Sequence, residues 1–82
     1  MPTAAPTTSR ADLLAAVART LPGRFTLEDL AVAAWRAHPR AFRMEGYDLP
    51  DKLAVAVLLY RVDGLLARGV LRERGERYEV AP

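Results

Sequence analysis

Hydrophobic residues near the start of this chain recur at the spacing of an amphipathic helix. The segment Ser9-Arg10-Ala11-Asp12 has the residues of a capping box, with Ser9 as the N-cap and Asp12 three positions later. Apolar residues then keep helical spacing up to Pro22-Gly23, which stops a helix: Leu13, Leu14, Val17 and Leu21. We therefore expect a first helix that begins after Ser9 and continues to the stop at Pro22.

A second helix is indicated by three start signals in the segment from Phe25 to Leu30. Thr26 is the expected N-cap, and Asp29 stands three residues later. Phe25 and Leu30 have the spacing of a hydrophobic staple, in which the residue before the cap packs against the first turn. Because a proline disfavours helix at the residue before it, Pro39 should end this helix at about His38.

Residues 39–50 form a connection longer than a tight turn. Its apolar residues alternate with polar ones, so we expect the connection to fold back over apolar surface: Phe42, Met44, Tyr47 and Leu49. A third helix is predicted to begin at Asp48 as N-cap, with Pro50 tolerated in the first turn. We expect it to end at Gly69, because glycine enters the left-handed conformation of a helix C-terminus without steric cost.

The third helix is apolar on more than one side. One stripe contains Val55, Leu58, Val62 and Leu65, and a second contains Leu53, Val57 and Tyr60. A helix of this kind is buried on two faces or binds something. The simpler interpretation is that the first two helices cover one stripe and the 39–50 connection covers the other.

The end of the chain predicts a short β-hairpin with its turn at Gly75. Its expected packing residues are Val70, Leu71, Tyr78 and Val80, while the charged residues between them face solvent. The predicted fold class is therefore mainly α with a small β-hairpin, in the order helix, helix, loop, helix, hairpin. We expect one domain over residues 9–82, preceded by a flexible tail at residues 1–8.

Composition excludes several classes of function. The 82 residues contain no cysteine and one histidine, so disulfides, the usual zinc sites and a Ser/His/Asp or Cys/His catalytic set have no support. No run of apolar residues reaches the roughly 18 needed for a membrane span, and the start lacks a secretory signal. We expect a cytoplasmic, non-enzymatic protein with no metal, no small-molecule cofactor and no membrane partner. The net charge of +2 is nearly balanced.

The element order resembles the winged helix-turn-helix superfamily of small bacterial regulators, over residues 9–80. The resemblance is carried by Thr26-Leu27-Glu28-Asp29-Leu30 opening the second helix, by Leu58 to Gly69 closing the third, and by Val70 to Val80 as the wing. It implies a DNA-binding transcriptional regulator whose third helix enters the major groove of double-stranded DNA while the wing meets the adjacent backbone or minor groove.

The positions available for phosphate contact fall in two groups. Arg36, Arg40 and Arg43 form a stretch without acids, interleaved with aromatic residues, and Lys52 opens the third helix. Arg72, Arg74 and Arg77 lie in the hairpin. Either they face one side of it and the glutamates face the other, or they form cross-strand ion pairs with these glutamates. These seven residues are the candidate nucleic-acid contacts.

A second hypothesis is a winged helix that serves as a protein-interaction or dimerisation module. Base edges are read by side chains with hydrogen-bond donors and acceptors, and Lys52 is the only such donor in the first two turns of the third helix. Under this hypothesis Leu53, Val57 and Tyr60 bind a partner protein or a second copy. Exposure of these three side chains is the feature that separates the two hypotheses, because a monomeric soluble protein seldom exposes a large apolar patch.

Overall fold

The fold is mainly helical, with three helices followed by a two-stranded antiparallel hairpin. The computed structural model describes residues 9–82, so the tail expected at residues 1–8 lies outside the described part of the chain. The elements are α1 (Arg10–Ala18), α2 (Leu27–Ala37), α3 (Lys52–Tyr60), β1 (Leu71–Arg74) and β2 (Arg77–Val80). The predicted order of helices and hairpin is confirmed.

The helix starts agree with the capping residues of the sequence for α1 and α2. The Thr26 hydroxyl accepts from the Asp29 backbone N–H at 3.0 Å, and the Asp29 carboxylate accepts from the Thr26 N–H at 3.0 Å, which completes the capping box of α2. Ser9 accepts from the Asp12 N–H at 3.1 Å, so the N-cap of α1 is confirmed. α2 ends at Ala37 with His38 as its C-cap, as expected.

α1 ends earlier than expected, at Ala18 instead of continuing to Leu21. The Thr20 N–H bonds the Val17 carbonyl at 3.0 Å, and the Leu21 N–H bonds the Ala18 carbonyl at 3.1 Å. These bonds span three residues, as in a 3₁₀ turn, and the Thr20 hydroxyl donates to the same Val17 carbonyl at 2.6 Å. The last turn is therefore tightened before Pro22 is reached.

α3 begins three residues later than expected, because the N-cap is Asp51 and not Asp48. The Asp51 side chain accepts from the Ala54 N–H at 3.0 Å, and this bond satisfies a free donor of the first turn. The Asp51 N–H is itself bonded to the Phe42 carbonyl at 2.8 Å. Asp51 is thus held in the preceding loop by its backbone while its side chain caps the helix.

α3 also ends earlier than expected, at Tyr60 and not at Gly69. After Arg61 the chain folds back onto the helix end. The Leu65 N–H bonds the Leu58 carbonyl at 3.0 Å, and the Leu66 N–H bonds the Leu59 carbonyl at 3.2 Å. A Cβ at Gly64 would lie 2.6 Å from the carbonyl oxygens of both Leu58 and Leu59, so only glycine fits this approach. The length of α3 is therefore set by this tertiary contact.

One hydrophobic core joins all three helices and the hairpin. Its fully buried large side chains are Leu14, Leu30, Phe42, Val55, Leu59, Leu65 and Leu71. Of the first stripe expected on the third helix, Val55, Leu58 and Leu65 are buried, but Val62 is 97% exposed. The expectation for Val62 was wrong because the helix that would have carried it into the core ends at Tyr60.

The hairpin is tied to the connection between α1 and α2. Leu71 pairs with Val80 and Arg74 with Arg77, and Gly75 turns the chain with φ of 66°. Phe25 bridges Tyr78 through backbone bonds of 2.9 and 2.8 Å. The predicted packing residues are confirmed: Leu71 and Tyr78 are buried, and Val70 and Val80 are partly buried against the core.

The 39–50 connection covers less of the core than expected. Phe42 is completely buried, but Met44, Tyr47 and Leu49 are exposed. Arg43 and Pro50 form an isolated antiparallel bridge, and the Met44 N–H bonds the Leu49 carbonyl at 2.8 Å. The loop closes on itself through these contacts, so the expectation that it covers the second stripe of the third helix was wrong.

Replacing Gly64 by alanine tests the close approach that ends α3. We expect Gly64→Ala to lower the free energy of unfolding by about 3 kcal/mol, because the added Cβ overlaps two backbone carbonyls that cannot move independently. The matched control is Gly46→Ala, where the added Cβ meets nothing within 4 Å and only the positive φ of 82° is unfavourable. The control should cost about 1 kcal/mol. Urea denaturation measures both, and equal losses would contradict the assignment.

Candidate functional site

Three apolar side chains on one face of α3 are open to solvent. Leu53 is 75%, Val57 51% and Tyr60 54% exposed. Their spacing of four and then three residues places them on successive turns of the same face. We call these three residues the α3 stripe. The stripe matches the alternative site of the sequence analysis, and within the described residues no other element covers it.

A groove adjoins the beginning of the α3 stripe. It has a volume of about 500 Å³, and it is lined by five apolar residues and three charged ones: Leu27, Met44, Pro50, Leu53 and Ala56, with Glu45, Asp51 and Lys52. We call it the α3 groove. It lies between α3 and the 43–50 loop because that loop closes on itself and leaves this side of the helix open. The stripe and the groove form one continuous apolar surface through Leu53.

Ion pairs stand at both ends of the α3 stripe. At the beginning, the Lys52 ammonium lies 3.1 Å from the Glu28 carboxylate of α2. At the end, the Arg61 guanidinium lies 2.9 Å from the Asp63 carboxylate. The hydrogen bond from Lys52 lowers the pKa of Glu28. Lys52, a candidate phosphate contact, is therefore matched by a carboxylate at the place where α3 would approach an anion.

Tyr60 connects the α3 stripe to the hairpin. Its hydroxyl forms a short hydrogen bond with the Tyr78 hydroxyl of β2, and the two rings meet edge-on with centroids 6.3 Å apart. This hydrogen bond, together with desolvation and the nearby Glu73 carboxylate, raises the pKa of the Tyr60 hydroxyl. The ring of Tyr60 thus remains exposed while its polar end is held by β2.

The hairpin presents its arginines on one face. Arg72, Arg74, Arg77 and Glu79 occupy alternating positions that the strand register places on the same side, which we call the outer face. Arg72 and Arg74 both donate to one Glu79 oxygen at 2.7 Å, and the Arg24 guanidinium lies 3.7 Å from the other oxygen. Hydrogen bonds from Arg74 and Arg72 lower the pKa of Glu79. The cross-strand ion pairs considered from the sequence therefore form, and the alternative that separates the arginines from the glutamates fails at Glu79, which shares the outer face.

The candidate arginines of α2 and the 39–50 connection do not form a single cluster: Arg36, Arg40 and Arg43. Arg40 and Arg43 line one surface hollow with Arg10 of α1, in which Glu45 and Asp51 also lie. Arg36 lines a different hollow beside Glu28 and Asp29. Arg10 was not a candidate, because about thirty residues separate it in sequence from Arg40 and no local pattern joins them. Its guanidinium lies 5.5 Å from the centre of the Phe42 ring.

The aromatic residues of this segment serve the core. Phe42 is completely buried, and Trp35 packs partly buried against the core. The indole nitrogen of Trp35 is buried without a hydrogen-bond partner among residues 9–82. Phe42 therefore offers no free face on which a nucleic-acid base can stack.

Comparison with known proteins adds no relative. No protein-family model, no curated protein and no solved structure matches this chain. Among residues 9–82, none of the helices combines the length and apolar character that a membrane span requires. In the same range no three histidine, aspartate or glutamate side chains converge as ligands for a metal ion.

The shared carboxylate of Glu79 predicts a pH-dependent stability. Because the folded state lowers the pKa of Glu79, its contribution is fully present above the ordinary value of 4.5 and is lost as pH falls through the lowered pKa. We expect Glu79→Gln to lower the melting temperature at neutral pH, with the difference from wild type disappearing in acid. Glu76→Gln, in the turn, is the matched control and should show no such convergence. Thermal melts from neutral to acidic pH measure both.

The hydrogen bond between Tyr60 and Tyr78 predicts a stability difference between two tyrosines. Tyr60→Phe should lower the free energy of unfolding by about 1 kcal/mol, because the Tyr78 hydroxyl loses its partner. Tyr47→Phe removes the same atom from a 63% exposed side chain and should change stability little. Chemical denaturation compares them, and an equal effect would show that the bond does not hold the hairpin.

Proposed function

We propose that this chain is a winged-helix module that binds another protein surface through the α3 stripe. The observation that carries the proposal is the exposure of Leu53, Val57 and Tyr60 on one face of the third helix. In winged helices the third helix is the recognition element. Here that element presents apolar side chains, so the matching partner surface is apolar as well.

The winged-helix assignment is supported by element order and by one backbone contact. Three helices precede the hairpin, with a long connection between the second and the third. The Phe25–Tyr78 bridge adds a short extended segment beside β2, so the hairpin is attached next to the start of α2. This attachment leaves the outer side of α3 open for a partner.

Protein is favoured over DNA as the partner of α3 because of the side chains that surround it. The α3 stripe offers one hydroxyl, that of Tyr60, and this group is already bonded to Tyr78. The neighbouring first turn of α2 carries Glu28 and Asp29, both exposed, which repel phosphates. A helix that reads bases needs free donors and a surrounding positive potential.

The α3 stripe has the composition of a protein-binding surface. Complete burial of a large apolar side chain contributes about 2 kcal/mol, so a few such residues can dominate the affinity of an interface. Tyrosine at the centre of an interface is a frequent source of such binding energy. Paired charges at Lys52–Glu28 and Arg61–Asp63 provide a polar rim around the stripe.

A DNA-binding regulator is the second candidate, favoured by the outer face of the hairpin. Arg24, Arg72 and Arg74 share the carboxylate of Glu79. Hydrogen bonds from Thr26 and the nearby Arg77 lower the pKa of Asp29, so these four arginines face two carboxylates. Such a surface can contact phosphates without reading sequence. Arg36, Arg40 and Arg43 would then add further phosphate contacts, in two separate places.

Photo-cross-linking in the host cell tests the proposed function. A photoreactive phenylalanine analogue in place of Leu53 should form adducts with protein, because this position lies within the stripe. The same analogue in place of Glu76, at the hairpin turn, is the matched control and should form none. Adducts at position 53 should be lost when Val57→Glu is added, since the substitution places a charge at the centre of the stripe.

A titration of labelled duplex DNA with the purified chain can contradict the proposed function. Under the proposal α3 does not bind DNA, so fluorescence anisotropy should show no salt-sensitive binding of the duplex that is lost when α3 is changed. Tight binding at low salt that weakens steeply with added salt and is lost in Lys52→Ala would place phosphates against α3 and overturn the proposal. Binding lost only in Arg72→Ala and Arg74→Ala would instead support the second candidate.

A further inference from the structure

We infer that the surface bound by the α3 stripe is the α3 stripe of a second copy of this chain, with the two α3 helices antiparallel. This inference rests on the proposed function and names its partner. Leu53, Val57 and Tyr60 follow the four-then-three spacing that brings paired helices together along a seam. With a two-fold axis near Val57, Leu53 of one copy lies opposite the partner's Tyr60.

The surface carries both a projection and a hollow. Val62, just beyond the end of α3, is 97% exposed, and the α3 groove lies beside the beginning of the helix. Antiparallel pairing places the end of one helix next to the beginning of the other. In this pairing Val62 of each copy lies opposite the partner's Asp51 and Lys52, which line the groove. A two-fold interface requires such self-complementarity, because the same patch must supply both partners.

The charges around the stripe are complementary in the same arrangement. Each copy has an acid and a base at both ends, Lys52 with Glu28 and Arg61 with Asp63. Antiparallel pairing brings the Lys52–Glu28 pair of one copy beside the partner's Arg61–Asp63 pair. The ends then form mixed-charge clusters, so no unpaired charge is buried. An anionic partner such as a nucleic acid would have to displace Glu28 and Asp63 first.

The extent of the surface suits a reversible dimer. A standard interface buries about 800 Å² on each partner, and α3 alone has nine residues. Two more exposed apolar residues extend the contact: Met44, which lines the groove with Leu53, and Val62, just beyond the end of α3. We therefore expect a dissociation constant in the micromolar range, at the weak end of specific association.

Sedimentation equilibrium of the 82-residue chain tests the inference. Wild type should sediment as a monomer–dimer equilibrium in the micromolar range. Val57→Glu and Val57→Lys each place like charges beside the two-fold axis and should weaken association about tenfold or more. An equimolar mixture of the two variants should regain dimer, because opposite charges then meet at the axis. Ala16→Lys, at an exposed position of α1, adds the same charge and should leave association unchanged.

The alternative results separate this inference from the proposed function. A wild-type chain that remains monomeric throughout overturns the second copy as partner, while adducts of position 53 with a different protein would still support the proposed function. Dimers that are insensitive to both Val57 substitutions overturn the α3 pairing. Variants that stay monomeric when mixed overturn the placement of Val57 beside the two-fold axis. Circular dichroism of each variant shows whether it is folded, and Val62→Glu provides a second disruption outside the helix.

Discussion

The return of the chain onto the end of α3 is the constraint on which the rest of the structure depends. Leu65 and Leu66 donate to carbonyls near the end of the helix, and the missing side chain of Gly64 makes this approach possible. Because the helix stops there, Leu65 and Leu71 reach the core and the hairpin begins close to it. A continuous helix to Gly69 would have carried the hairpin away from Phe25, and the backbone bridge to Tyr78 would not form.

One face of α3 stays open because two neighbouring segments complete their contacts without it. The fold-back completes the core on one side of the helix, and the 43–50 loop completes its own hydrogen bonds through the Arg43–Pro50 bridge. Neither needs the α3 stripe for its stability. The hydrophobic area that stays exposed on the stripe is available for association, which is the physical basis of the proposed interaction.

Local signals in the sequence predicted most of the fold. The starts of α1 and α2 depend on side chains three residues apart, and the hairpin turn depends on Gly75, so both can be inferred from short segments. The end of α3 could not, because a tertiary contact determines it. The end of α1 depends on a local 3₁₀ turn at Thr20 and Leu21, which the helical spacing of the apolar residues does not reveal. Periodicity likewise identified Leu53, Val57 and Tyr60 as one face, but their exposure depends on how the loop closes. Arg10 and Arg40 line the same surface hollow although they are distant in sequence, so no local pattern could have predicted their proximity.

Tyr60 belongs both to the α3 stripe and to the attachment of the hairpin, and it therefore links partner binding to the ordering of the hairpin. Its ring belongs to the surface that a partner would cover, while its hydroxyl anchors β2 through Tyr78. Covering the ring excludes water from that hydrogen bond, and a firmly attached hairpin in turn fixes the ring in the orientation that the partner meets. Partner binding and attachment of the hairpin are therefore coupled. Thermodynamic reciprocity requires that each strengthens the other by the same factor. In the proposed module the hairpin thus fixes the orientation of Tyr60 in the recognition surface of α3.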